Sequence, residues 1–149
     1  MKVVIALGAN LGNPKQQITD AIAKIGEVVK IAKISSLYET APFQVKDKQP
    51  NYINAVLIGD TERQPKELIH KLLDIEAQLG RERSFQNAAR TIDIDIIDYE
   101  GFFMESDELT LPHPRAHERR FVLEPWAEIE PDAVLREHGP IKELLAALP

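Results

Sequence analysis

The apolar patterning of this chain predicts an α+β fold, a sandwich in which a mainly antiparallel sheet carries helices on one face. Three observations lead there. Over the first hundred residues, extended apolar runs and segments of helical periodicity follow in the order β-α-β-β-α-β, the order of a ferredoxin-like sandwich. The 149 residues, with 44% hydrophobic and 28% charged content, have the size and composition of one folded domain with a real core. Turn signals fall between the runs, and no repeat, linker or low-complexity tract interrupts them, so residues 1–149 are expected to form a single domain ending in a helical extension.

Each element has its own signal. "KVVIALGA" is a continuous apolar run and reads as a buried strand. In "NLGNPKQQ", Asn13 is a helix cap and Pro14 suits a first turn. The helix that follows runs to about Gly26, with Ile18, Ala21, Ile22 and Ile25 on one face. Gly8 and Gly12 are read as permitting the tight turn between strand and helix, or a close approach of the backbone to a ligand. "EVVKIAKISSLYET" is a second extended segment, leaving "APFQVKDKQPN" as a loop and "YINAVLIGDT" as the third strand. "QPKELIHKLLDIEAQLGRE" is a helix opened by Pro65 and closed near Gly80, with a stripe of Leu68, Ile69, Leu72, Leu73, Ile75 and Leu79. After the polar "SFQNAA", "RTIDIDIIDYE" is the fourth strand and "GFFMESDELTL" a short hairpin. "PHPRAHERRFVLEPWAEIEPD" mixes loop with helix, Trp126 packing on the sheet, and "IKELLAALP" closes the chain as a helix. Both main helices then cover one sheet face, leaving the other free to build a site.

Composition removes several function classes. The absence of cysteine excludes disulfides, thiolate zinc sites and thiol catalysis. The opening apolar run is too short for a membrane span and lacks a cleavage site, so a cytoplasmic protein with no membrane partner is expected. A net charge of −6 speaks against nucleic acid. The arginines are nevertheless clustered: Arg81, Arg83, Arg90, Arg115, Arg119 and Arg120 lie between residues 81 and 120, and no lysine occurs from residue 72 to 141. Arginine grips phosphate oxygens with a planar fork that lysine lacks. The competing reading is an arginine-rich solvated face.

The fourth strand breaks a local rule. Ile92, Ile94 and Ile96 share one face and Asp93 and Asp95 the other, roughly 7 Å apart at the Cα level, although aspartate is depleted from strands. Two same-face carboxylates suit hard divalent cations such as Mg²⁺, which is held by one or two carboxylates together with substrate phosphates. An edge strand using acid against aggregation explains the same pattern. Asp98 falls out of the alternation and is read as a strand-end residue. Glycine-rich phosphate cradles are absent: "GANLGN" is neither the P-loop nor the dinucleotide fingerprint.

"ALGANLGNP", "SSLYETAP", "NYINAV", "RTIDIDI" and "LPHPRAHERRFVLEPWAEIEPD", in that order, resemble the 6-hydroxymethyl-7,8-dihydropterin pyrophosphokinase family of the folate pathway over nearly the whole chain. The resemblance implies a ferredoxin-like fold and transfer of the pyrophosphoryl group of ATP to the pterin hydroxymethyl oxygen. It implies that Asp93 and Asp95 hold two Mg²⁺ ions, and that ATP and the pterin are the small-molecule partners, with no obligate protein partner evident. Pterin contacts fall at Tyr52, Asn54 and Phe121 and in the loop at Thr40, Ala41, Pro42 and Phe43. Nucleotide contacts fall at Glu76, Arg81, Arg83, Arg90, His113 and Arg119, and Arg81 and Arg90 join Asp93 and Asp95 as the implied catalytic residues.

The alternatives are ordinary core packing for Tyr52 and Phe121 and surface charge for Glu76. Arg120 and His117 fit the family pattern without an assigned role, and His70 and His138 are expected at the surface. Some members carry a tryptophan and a Gly-Pro pair just before the acidic strand, where this chain reads "SFQNAAR"; Phe85 stands nearby. At Leu73 some members have a polar residue facing the nucleotide. Residues 43–50 and 82–89 are the expected lids, with Gly12 and Gly80 as hinges. A non-catalytic ligand-sensing module, or a different nucleotide-dependent transferase or metal-dependent hydrolase, would share the fold.

Overall fold

A computed structural model of the chain describes residues 1–41, 51–82 and 92–149, excluding the side chains of residues 81 and 82. The expected order is present. Strand β1 (Lys2–Ala9) leads to helix α1 (Pro14–Ile25), then come strands β2 (Lys30–Ile34), β3 (Tyr38–Thr40) and β4 (Tyr52–Asp60). Helix α2 (Pro65–Glu82), strand β5 (Asp93–Tyr99) and the hairpin β6 (Met104–Glu105) and β7 (Thr110–Leu111) follow. A 3₁₀ turn at Ala116–Glu118, helix α3 (Arg120–Ile129), strands β8 (Val134–Leu135) and β9 (Gly139–Pro140), and helix α4 (Ile141–Ala147) complete the chain. The main sheet runs β2-β4-β1-β5, with β3 beside β2 on β4, and every described pairing is antiparallel.

Local chemistry accounts for the boundaries. Asn13 Oδ1 accepts the Gln16 backbone N–H at 3.3 Å and Pro14 occupies the first turn of α1, as the cap reading requires. The long second extended segment becomes two strands. Ser35 donates its backbone N–H to Val56 O (2.8 Å) while its Oγ accepts from Val56 N (2.9 Å), so the side chain takes over the ladder and the chain bends there.

Gly12 adopts φ +64° in the turn after β1. Gly8 lies inside β1, so only Gly12 serves the turn. Helix α2 passes through Gly80 to Glu82 rather than closing at it; an isolated glycine weakens a helix without ending it.

The sheet has two apolar faces. Val3, Ile5, Leu7, Ile53, Ala55, Leu57, Ile94 and Ile96 pack against α1 and α2, each fully buried aliphatic side chain contributing about 1.5–3 kcal/mol. Leu73 lies off this packing stripe and is 47% exposed, because residues 68, 72, 75 and 79 already fill the strip that α2 turns inward. The opposite face is not wholly free. Val4, Ala6, Val56, Ile58 and Ile97 are covered by α3, the β8–β9 hairpin and α4, with Trp126 at 1% exposure in their midst. The hairpin went unread in the sequence because its strands are two residues each, too short for any periodicity.

Candidate active site

The register of β1 organises the open end of that second face. Gly8 lies opposite Asn54 of β4 and Asp93 of β5, and Ala6 lies opposite Val56 and Asp95. Directly opposed residues share a sheet face, so Asn54, Asp93 and Asp95 project together over a floor of Gly8 and Ala6. A Cβ on Gly8 would stand 2.9 Å from Asn54 Nδ2. Glycine in a strand interior marks close approach by something else; here that is the Asn54 amide, and with no other described atom, chain neighbours apart, within 4 Å of the Cβ position a shallow slot is left on the acid-pair side.

Asn54 is 5% exposed, and Thr40 Oγ1 donates to its Oδ1 at 2.7 Å. That bond fixes the amide: Oδ1 faces Thr40, and Nδ2 faces the slot beside Gly8. Tyr52 pairs with Thr40 across the β3–β4 ladder and shares its face with Asn54. It is half-buried, Phe121 on the first turn of α3 is 36% exposed, and among the described residues neither joins a buried cluster. Core packing among the described residues therefore does not explain either ring. Ala41 is exposed at the end of β3.

Around the acid pair, the Arg119 guanidinium comes within 4.0 Å of Asp95 Oδ2 and lies 5.5 Å from the Phe121 ring centre. One cation thus stands between the aromatic and acidic ends of the site. His113 is placed by its backbone N–H, which donates to Ile97 O at 2.8 Å, and its Nδ1 accepts the Arg115 backbone N–H at 3.1 Å. With Nδ1 an acceptor, the neutral ring carries its proton on Nε2 and can donate from there. Burial pushes the His113 pKa down; Asp95 pulls it up, while Arg119 and Arg115 push it down further.

Strand β5 is the edge of the sheet among the described residues, as the anti-aggregation reading required. Its edge is engaged, however: Glu76 of α2 accepts the Ile94 backbone N–H at 2.6 Å. Although Asp98 falls out of the alternation by sequence spacing, a bulge in β5 returns it to the face of Asp93 and Asp95. Val4 pairs with Asp98 but Ile5 with Ile96, so Ile97 is the extra residue. Arg136 then holds Asp98 from Nε (2.9 Å) and Nη2 (2.5 Å), which makes Asp98 a structural ion pair rather than a ligand.

A cavity of about 230 Å³ opens beside Asp95, between α2, β5 and the β6–β7 hairpin. Ile69, Ile96, Thr110, His113 and Pro114 line it, with hairpin residues 106–109. Apart from His113, these cavity residues escaped sequence reasoning, since an isoleucine in a helical stripe or a strand looks like core whether or not one side is open. His70 and His138 are exposed as expected, His70 bonded to Glu108 at 3.0 Å and His138 stacked on His117 at 4.0 Å. Arg120 reaches the carbonyls of Leu148 and Pro149, away from the acid pair's partners. Pro42, Phe43, Arg83, Phe85, Arg90 and the lids at 43–50 and 82–89 lie outside the described residues apart from the end of α2. The backbone of Arg81 belongs to the last turn of α2.

Comparison with known proteins identifies the family of the chain. Residues 4–131 match the family model for 7,8-dihydro-6-hydroxymethylpterin-pyrophosphokinase. The chain belongs to that family. The family's reaction is transfer of the pyrophosphoryl group of ATP to hydroxymethyldihydropterin in folate synthesis, which sets aside the sensing module and the other enzyme classes. The 2-amino-4-hydroxy-6-hydroxymethyldihydropteridine pyrophosphokinase of Haemophilus influenzae is 38% identical over 95% of this chain and 89% of its own. The Pseudomonas aeruginosa enzyme of the same name is 36% identical over 99% and 92%. The folic acid synthesis protein fol1 of Pneumocystis carinii is 43% identical over 89% of this chain, which spans only 18% of that longer protein. A solved Plasmodium falciparum HPPK-DHPS structure with pterin and p-hydrobenzoate has a TM-score of 0.73 at 14% identity, covering 97% of this chain and 41% of that one. At that identity it supports the ferredoxin-like α+β fold alone.

Proposed function

We propose that residues 1–149 act as one pterin pyrophosphokinase domain and perform the family's transfer on the open end of the sheet. The observation that carries this reading is the row Asn54–Gly8–Asp93, which sets a recognition amide and the acid pair on one face with a side-chain-free floor between them. The flat ring lies over Gly8. Asn54 Nδ2 donates to its edge, Tyr52 and Phe121 supply aromatic faces, and the backbone at Thr40 and Ala41, continuing to Pro42 and Phe43, wraps it.

The nucleoside occupies the cavity beside β5, with Glu76 serving the ribose. Its phosphates cross the edge of the strand toward Asp93 and Asp95. His113 donates from Nε2 to a phosphate oxygen, and Arg119, with Arg81, Arg83 and Arg90, grips the remaining oxygens. The hydroxymethyl oxygen forms a bond to the β-phosphorus while the bond from that phosphorus to the α,β-bridging oxygen breaks. AMP leaves with that oxygen, and the hydroxyl proton passes to solvent. Positioning and charge neutralisation provide the catalysis, so no side chain is assigned as base.

Two same-face carboxylates fit Mg²⁺, which needs only one or two of them when substrate phosphates complete the shell. Asp95 is half-exposed and its contact with Arg119 is a long one, so among the described residues its oxygens are not consumed by a tight ion pair. Asp93 and Asp95 would hold two ions, whose charge supports the crowded phosphate oxygens and the departing AMP. No described helix is long and apolar enough to cross a membrane; we place the reaction in the cytoplasm, where its ATP is drawn.

The test is direct. Purified protein with ATP, Mg²⁺ and 6-hydroxymethyl-7,8-dihydropterin is expected to release AMP in step with pterin diphosphate. ADP as product, or turnover indifferent to the pterin, defeats the proposal.

A further inference from the structure

The pterin slot proposed above draws on three elements: β3 with Thr40 and Ala41, β4 with Tyr52 and Asn54, and α3 with Phe121. Strands β3 and β4 are joined by a ladder in which Tyr38 opposes Asn54 and Thr40 opposes Tyr52. Helix α3 is joined to β4 through the buried cluster around Trp126. On the remaining side of this triangle, from α3 to β3 and the residues leading into it, the hydrogen bonds among the described residues go to one carboxylate. Glu128 accepts the Ser36 backbone N–H at 3.1 Å on each oxygen, the Ser36 hydroxyl at 2.9 Å and the Tyr38 hydroxyl at 2.7 Å. Such a count of bonds to an exposed acid on a helix is unusual for a residue needed only for solubility, since surface carboxylates of that kind are ordinarily hydrated.

Helical geometry ties this anchor to the slot. Seven residues separate Phe121 from Glu128, and seven residues of α-helix turn through nearly two full revolutions. Both side chains therefore leave the same side of α3, roughly 10 Å apart along its axis. Glu124, on that side too, acts on Tyr38 through its charge. That side of the helix runs beside β3.

We infer that Glu128 is a positioning residue for pterin binding: by clamping Ser36 and Tyr38 to α3 it sets the separation between the Thr40 strand and the Phe121 ring, and so the width of the slot. It touches neither substrate and acts through β3. The inference rests on the pterin site proposed above, and its test is arranged to fail separately from that reading.

The KM for each substrate is measured in Glu128→Ala, Glu128→Gln and Asn54→Ala. Glu128→Ala is expected to raise the pterin KM about tenfold, with the ATP KM and kcat within about twofold of the parent, the size of one or two lost hydrogen bonds. Glu128→Gln keeps a carbonyl oxygen for Ser36 and Tyr38 and is expected to recover most of the loss, which a general effect of charge would not produce. An unchanged pterin KM in Glu128→Ala, equal rises for both substrates, or no recovery with glutamine overturns the inference. Should Glu128→Ala fail to fold, the Ser36→Ala/Tyr38→Phe double variant removes the two hydroxyl donors instead, and a normal pterin KM there overturns it equally. If Asn54→Ala leaves the pterin KM unmoved, the pterin site itself is misplaced and the inference falls with it; if Asn54→Ala raises it and Glu128→Ala does not, only the clamp is wrong.

Discussion

The two ends of one sheet face make different uses of the same strands. At one end, Val4, Ala6, Val56, Ile58 and Ile97 lie under Trp126 and the C-terminal helices, dry and tightly packed. At the other, two residues further along β1 and β4, the positions are Gly8 and Asn54; β5 contributes Asp93 opposite Gly8 and, in the border row opposite Ala6, Asp95. The strands continue; their cover does not. Chemistry is placed where the covering layer stops, on strands held rigid by the covered half. The β5 bulge marks the border, sending Ile97 into the packed half, while Arg136 of the extension holds Asp98 there. Activity and stability should therefore separate along this face.

The largest separation is expected at Asp95. Asp95→Asn should lower kcat roughly 10²–10³-fold or more, the scale of losing a principal electrostatic contact to the reacting phosphates, while the thermal midpoint stays close to that of the parent because the side chain is half-exposed. A near-normal kcat would remove the acid pair from the mechanism. Trp126→Ala should do the reverse. Removing a fully buried indole costs about 3–5 kcal/mol, read as a lower denaturant midpoint, and under conditions where the variant is folded kcat and the ATP KM should remain within a few-fold of the parent. A loss of kcat on the scale of Asp95→Asn there would mean that the two ends are not separable.

The main sandwich was legible because its elements are long and their periodicities clean: β1, α1, β4, α2 and β5 all lie where patterning puts them. The acid pair was legible because it violates strand propensity, and a violated rule is itself a signal. What escaped lacks such contrast. Glu128 is one of 24 acidic residues and sits on a helix, where surface charge is ordinary. Its role depends on Ser36 and Tyr38, some ninety residues away, and on a turn of chain at Ser35 that composition does not announce. For Gly8 the sequence offers both a turn and a close approach of backbone to a ligand, and the cross-strand register decides for space over backbone freedom.

Gly8 gives a sharper probe of the open end. Gly8→Ala places a methyl 2.9 Å from the Asn54 amide nitrogen, so the amide must shift away from the slot. The pterin KM is expected to rise about tenfold, the equivalent of one hydrogen bond of about 1.4 kcal/mol, with the ATP KM unaffected. Stability should hold or rise slightly, since alanine loses less backbone freedom than glycine on entering a strand. A falling midpoint with unchanged pterin affinity would show that Gly8 serves packing rather than the ligand.

The smallest expected effect concerns the pH range over which the α3–β3 clamp holds. Burial, then the hydrogen bond to Glu128 and the Glu128 and Glu124 charges, push the Tyr38 hydroxyl up to about 12. For Glu128, burial acts upward, but the bonds from Tyr38 and Ser36 outweigh it and hold the carboxyl below its ordinary range. A tyrosine whose pKa is raised by folding contributes fully below its unfolded value near 10, and that contribution is lost as pH rises toward 12, because the unfolded chain releases its proton first. The depressed carboxyl contributes above the ordinary carboxylate range and loses its contribution as pH falls through its folded value. The clamp is therefore whole across the neutral range and weakens at both extremes. Because the pair is exposed, the change in stability should be small; its signature is a difference. The fall in stability between pH 10 and 12 should be shallower in Tyr38→Phe than in the parent, and the tyrosine absorbance titration should lose its step near pH 12. Parallel stability curves with an unchanged titration would show that the Tyr38 proton is not held by Glu128 in solution, leaving the clamp to Ser36.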